Sequence, residues 1–245
     1  MEFFANEGKN VEIDAFGNHY LRHAIKTRFI KQGENYIDVF REYVSPIYEE
    51  GDIVSCSEKI IALCQNRVIL KKDIKVSRLA KFLSRFVNQT PAGESVGNPF
   101  KMQIAINLCG RLKVIFAAIC AGVGKLFGKK GVFYKIVGPE VVGLDGFCDD
   151  AFDTYLDMGI RIPENSDGVC DEIKDKLGIS CMIVDANDIG QLVLGKSSDL
   201  EMTKEELREL IRDNPAGQGH ESTPIILIIT YLSLYYNFSA EVFRR

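Results

Sequence analysis

Apolar residues recur every three or four positions over Asn35–Val44, at Tyr36, Ile37, Val39, Phe40, Tyr43 and Val44, and this spacing predicts a helix closed by Pro46 and Gly51. Ser77 is placed to cap a second helix carrying Leu79, Phe82, Leu83 and Phe86 on one face. Asn98 caps a third, with Pro99 at its first position and Gly110 at its end. Ser166 or Asp167 begins a fourth that runs to Leu177 and stops at Gly178. Thr203 and Glu206 form a capping box for a fifth, reaching Arg212. Between them lie short apolar runs that read as strands: Leu21–Thr27, Asp52–Cys56, Val68–Leu70, Val132–Val137, Val141–Leu144, Tyr155–Ile162, Ser180–Val184 and Pro224–Thr230. Strands and helices alternate, so the fold class is α/β, or mixed α+β. No linker divides the chain, which predicts one domain over 1–245 or two intimate lobes.

Composition narrows the class further. At 245 residues and 46% hydrophobic content the chain can bury a sizeable core. A net charge of −4 gives no global field favouring nucleic acid or anionic lipid. The longest apolar stretches, Val114–Val123 and Ile225–Tyr236, are shorter than the ~20 residues of a membrane span. The N-terminal segment lacks a basic region and a long apolar core, so no secretory signal is expected there. Seven scattered cysteines without a C-x-x-C pair indicate neither a disulfide framework nor a zinc site. A reduced, cytoplasmic protein is the expectation.

Four polar segments are candidates for chemistry. In Ser180–Gly190, S-C-M-I-V-D-A-N-D-I-G, an apolar strand runs into Asp185, Asn187 and Asp188. Carboxylates at a buried strand end need a cation or N–H donors, although Asp, Asn and Gly are also ordinary turn residues. In Gly51–Ile61, G-D-I-V-S-C-S-E-K-I-I, a strand delivers Ser57, Glu58 and Lys59 together, and the lysine can neutralise a phosphate or lie on the surface. In G-L-D-G, Gly143–Gly146, Asp145 sits between glycines that admit backbone or ligand. Meeting Asp185 or Asp188, it would complete an oxygen-ligand site for Mg²⁺ or Mn²⁺. Asp213–Pro224, D-N-P-A-G-Q-G-H-E-S-T-P, gathers amides, acids and glycines ahead of a strand. The G-V-G-K at Gly122–Lys125 lacks the Ser or Thr of a phosphate loop. The basic stretch Arg67–Arg85 has no interleaved aromatics and reads as a solvated helix face rather than a nucleic-acid surface.

Taken in order, G-D-I-V-x-x-x-E-K-I-I, G-L-D-G, P-E-N-S-D and I-V-D-A-N-D-I-G resemble the coenzyme F420-0:gamma-glutamyl ligase family over roughly Ile25–Ile229. Within it the chain is similar to a divergent bacterial branch that pairs D-A-N-D-[IL]-G with a later D-N-P-x-G-Q…T-P-I. The resemblance implies an intertwined homodimer of mixed α/β structure. It implies a GTP-dependent ligase that joins a carboxylate to L-glutamate through an amide, with Mg²⁺ or Mn²⁺. Carried over by motif, Ser57, Glu58, Lys59, Asn187, Asn214 and Gln218 would serve the nucleotide. Asp145 would bind metal together with Asp185 or Asp188, between which the motif does not choose. Glu221 would be the base that deprotonates the glutamate amine. The alternative is a non-catalytic binder of a nucleotide or acidic metabolite on the same fold. No nucleic-acid or membrane partner is expected.

Overall fold

The runs around Ile53–Cys56, Cys181–Val184 and Ile225–Ile229 are apolar at consecutive positions, as strands covered on both faces must be. The computed structural model describes residues 3–87, 96–147, 156–187, 190–217, 219 and 221–230. Its strands are β1 (Glu12–Ala15), β2 (Asn18–Ile25), β3 (Ile53–Ser57), β4 (Val68–Leu70), β5 (Asp145–Gly146), β6 (Met158–Ile160), β7 (Cys181–Ala186), β8 (Gln191–Lys196) and β9 (Ile225–Thr230). The helices are α1 (Tyr36–Tyr43), α2 (Glu58–Cys64), α3 (Arg78–Ser84), α4 (Pro99–Cys109), α5 (Arg111–Leu126), α6 (Val132–Val137), α7 (Pro139–Val142), α8 (Ser166–Leu177) and α9 (Lys204–Glu209). The fold is mixed α and β. The chain forms two units, Met1–Asn66 with Pro163–Arg245, and Arg67–Ile162.

In the first unit the strand order is β1-β2-β9-β3-β7-β8. β3 and β7 pair in parallel and the other neighbours are antiparallel. Alternate residues of each central strand serve opposite faces. Val54, Cys56, Cys181, Ile183, Ile225 and Leu227 pack in one core with Phe40 of α1, Ile61 of α2 and Ile173 of α8. Ile53, Met182, Val184, Ile226 and Ile228 pack in the other with Leu207 of α9. The sheet's outer strand, β8, is held by α8. Lys196 N donates to Asp167 Oδ1 at 3.0 Å and Ser198 N to Asp171 Oδ1 at 2.7 Å. These bonds occupy outward N–H groups that would otherwise invite a further strand.

The second unit holds a small antiparallel sheet, β4-β6-β5, and helices α3 to α7. Here the pattern misled at two places. Val132–Val137 and Val141–Leu144 read as strands, but the first is helix α6, while α7 takes up Pro139–Val142. Phe133 and Val137, four residues apart, bury one face of α6 against α4 and α5, so tertiary packing overrides the β-branched composition. Gly131 and Gly138 take the positive φ that bounds it. Gly124 lies inside α5 with a buried backbone, and a Cβ there would meet Val132 Cγ2 at 2.9 Å. The G-V-G-K segment therefore belongs to close helix packing. The α8 cap is Asn165, one residue before the expected Ser166, and its side chain accepts from Gly168 N. Among the described residues no single helix is long and apolar enough to cross a membrane.

Asp52, just before β3, is buried, and its carboxylate accepts from Glu49 N at 3.0 Å. Burial pushes its carboxyl up to about 6, with the nearby Glu49 charge adding and the N–H bond opposing. A carboxyl raised in the folded state binds more protons there than in the unfolded chain, whose pKa is near ~3.9. Its contribution to stability is full below that value and is lost as pH rises through about 6. Asp52→Asn keeps an acceptor for Glu49 N without the charge. The variant is expected to gain about 1–3 kcal/mol at alkaline pH and almost nothing near pH ~4. Urea denaturation at both pH values checks this, and an equal change at both would show that Asp52 ionises normally.

Candidate functional site

Three of the polar segments meet at one end of the larger sheet. Because β3 and β7 run parallel, with Ser57 opposite Val184, Ser57–Lys59 and Asp185–Asn187 leave the sheet at the same edge. β9 runs the other way and begins there, Ile225 opposite Cys56. Ser57 N donates to Pro224 O at 2.8 Å, bringing the loop that ends in Glu221-Ser222-Thr223-Pro224 to the same place. β2 also ends here, with Ile25 opposite Ile225, and Thr27 N donates to Ser222 O at 2.8 Å. Strand ends that converge in this way are where α/β sheets hold ligands.

Ser57 is the N-cap of α2, although its side chain makes no capping bond. Glu58 is buried in the first turn and Lys59 is half-buried beside it. Asp185 is half-buried opposite Leu192 of β8. Asn187 closes the turn between β7 and β8. Its Oδ1 accepts from Gly190 N and its N–H donates to Gly190 O, both at 3.0 Å. Asn214 is fully buried at positive φ, and its amide donates to Gly217 O at 3.1 Å. Glu221 folds back over the loop's glycines. A Cβ on Gly217 would meet its carboxylate at 2.8 Å and one on Gly219 at 3.2 Å, so both glycines make room for that side chain. Gln218 and Asp188 lie outside the described residues.

Asp145 belongs to the second unit. Its Oδ1 accepts from Gly146 N at 2.8 Å. The glycine after it is explained by backbone: at φ +87, a Cβ on Gly146 would meet Met158 O at 2.1 Å. Among the described residues, no three His, Cys, Asp or Glu side chains come together as metal ligands. The described donors therefore do not by themselves compose a metal centre.

Two anchors of the site carry no sequence signal. Asn6 donates to Pro215 O at 2.9 Å and to Thr223 Oγ1 at 2.7 Å, and Thr223 Oγ1 donates to Ala216 O at 3.1 Å. Arg22 of β2 forms a two-bond ion pair with Asp213 through both terminal nitrogens. Burial alone would push Asp213 up, but the Arg22 hydrogen bonds and charge outweigh it and hold the carboxyl below the ordinary range. Both partners lie about 190 residues apart or more, so no local pattern announces them. Burial drives the Cys56 thiol well up, and burial with the Glu34 charge pushes Cys64 up to about 12. No protein-family model matches the chain, and no curated protein matches it.

Proposed function

We propose that this sheet edge binds a nucleotide and that the protein is a GTP-dependent ligase joining a carboxylate to the amine of L-glutamate, in the manner the family resemblance implies. The observation that carries the reading is the convergence of Ser57–Lys59 with Asp185–Asn187 and the Glu221 loop, both more than 120 residues further along the chain, at one end of β3, β7 and β9. In this reading Lys59 offsets phosphate charge as a point cation. The γ-phosphoryl group passes to the acceptor carboxylate, giving an acyl phosphate and GDP. The glutamate amine then attacks the acyl carbon, phosphate leaves, and Glu221 takes the amine proton. Phosphoryl transfer needs chiefly positioning and charge stabilisation, which suits a site poor in nucleophiles. A Mg²⁺ or Mn²⁺ ion arriving with the nucleotide would neutralise phosphate charge when bound. The protein acts as a homodimer, as the resemblance implies.

The test is incubation with GTP, L-glutamate and the F420-0 acceptor, followed by mass spectrometry. A product heavier by one glutamyl residue, formed together with GDP, is expected. Glu221→Gln is expected to lower turnover about 100-fold or more while GTP still binds. Nucleotide binding without product under these conditions would instead mark a non-catalytic binder.

A further inference from the structure

Helix α5 is buried on one side only. Val114, Ala117 and Gly124 face the core of the second unit. On the opposite side Leu112, Phe116, Ile119, Val123 and Leu126 recur at intervals of four, three, four and three residues. That spacing places them on a single face, and Phe127 extends it past the helix end. These are among the most exposed large apolar side chains of the molecule: Leu112 is 85%, Leu126 84% and Phe127 75% exposed. An unbroken apolar face of this kind marks a contact surface.

The charge around it identifies the partner. Between Ser95 and Glu140 there are seven Lys and Arg residues and no Asp or Glu. Arg111 and Lys113 lie exposed at one end of the stripe, and Lys129 and Lys130 follow the other, whereas Lys125 lies on the opposite side of the helix and donates to Phe86 O at 3.2 Å. The whole second unit carries fifteen Lys and Arg against eight Asp and Glu, a net +7, whereas the first unit carries −11. The modest overall charge thus conceals a strongly basic unit. A second copy docked on this stripe would set cation against cation, with no acid on the helix to pair them. An apolar face on a helix that carries cations and no acid is complementary to an anionic lipid surface, whose acyl boundary takes the side chains and whose headgroups take the lysines. α5 has 16 residues, about 24 Å of helix, short of the ~30 Å hydrocarbon core. α4 and α5 meet at 119°, so they do not form one straight span. The helix would lie in the plane of the interface.

We propose that the second unit docks peripherally on anionic phospholipid membranes through the exposed face of α5. The test is co-sedimentation of the full chain with phosphatidylcholine vesicles, with and without about 30% phosphatidylserine, at low and high salt. Binding to the anionic vesicles is expected to be about tenfold or more stronger than to the neutral ones, and to weaken with salt. Two double variants, F116S/L126S and K129E/K130E, alter exposed side chains only. Each is expected to cut binding about tenfold or more with the thermal midpoint unchanged. Absence of binding to anionic vesicles, equal binding to neutral ones, or unchanged binding by the variants would overturn the proposal. So would a dimer in lipid-free solution that F116S/L126S dissociates, or single-stranded RNA binding lost in the same variants. Those outcomes would reassign the stripe to a second copy or to nucleic acid respectively.

Discussion

Replacing Asp213 by alanine is expected to destabilise the protein by about 3–5 kcal/mol, because it strands a buried cation. Arg22 is 1% exposed, in the middle of β2. Besides the two bonds to Asp213, its guanidinium donates only to neutral carbonyls among the described residues, Leu210 O at 3.2 Å and Asn10 O at 2.8 Å. Two carbonyls do not replace a carboxylate for a desolvated charge. Removing both charges with apolar side chains of similar volume, R22M/D213L, is expected to cost less than D213A alone, since no orphaned ion remains. Urea denaturation of the three proteins at neutral pH makes the comparison, and a double variant weaker than D213A would show that the pair itself is the source of stability. The pH dependence has a definite sign. The Asp213 carboxyl is lowered on folding, so its contribution is present above the ordinary carboxylate value and is lost as pH falls through the folded one. Asp52 acts in the opposite sense, so the wild-type profile should fall away on both sides of a mildly acidic optimum.

Gly195→Ala is expected to cost more than about 3 kcal/mol. A Cβ at this position in β8 would lie 2.3 Å from Ser166 C and 2.5 Å from Asp167 N. Those are backbone atoms at the start of α8, and they cannot yield without moving the helix off the strand. The same helix turn supplies the Asp167 carboxylate to Lys196 N, so the shift would also uncover the sheet edge. Gly190→Ala is the matched control, with no atom within 4 Å of the added carbon, and is expected to be nearly neutral. Thermal melts of both variants decide this, and similar midpoints would mean that α8 adapts easily.

These positions show which parts of the fold can be read from sequence. Helix ends written by local chemistry were legible. The Asn98-Pro99 start and Gly110 stop of α4, the Ser77 cap of α3 and the Thr203–Glu206 capping box all occur where their residues predict. So were the consecutive apolar runs of β3, β7 and β9, because burial on both sheet faces leaves an unmistakable pattern. What failed was settled at a distance. β8 went unrecognised because Q-L-V-L-G-K carries a glycine that looks like a breaker, and its purpose is visible only beside α8. V-F-Y-K-I-V looks like a strand until the face that Phe133 and Val137 present to α4 and α5 is known. α2 was hidden because Glu58–Cys64 is too short to show a period against the apolar strand before it.

The candidate site divides in the same way. Each polar segment could be singled out by its residues, but their meeting depends on the parallel pairing of β3 with β7 and on the reversed entry of β9. The structural duties of Asn187 and Asn214 also emerge only in the fold, where their side chains close turns at the site's rim. Glycine carried two meanings that sequence does not separate. In G-L-D-G the last glycine admits the Met158 carbonyl, whereas Gly217 and Gly219 admit the carboxylate of Glu221.

In the function proposed, the common end of β3, β7 and β9 binds nucleotide phosphates through Lys59. Calorimetric titration of GTP with excess Mg²⁺ into the wild-type protein, Lys59→Ala and Lys59→Arg tests it most directly. Binding by the wild type, a loss of about tenfold or more in Lys59→Ala and partial recovery in Lys59→Arg are predicted, since arginine restores charge but not the compact ammonium geometry. Equal affinities across the three proteins, or no binding by the wild type, would contradict it.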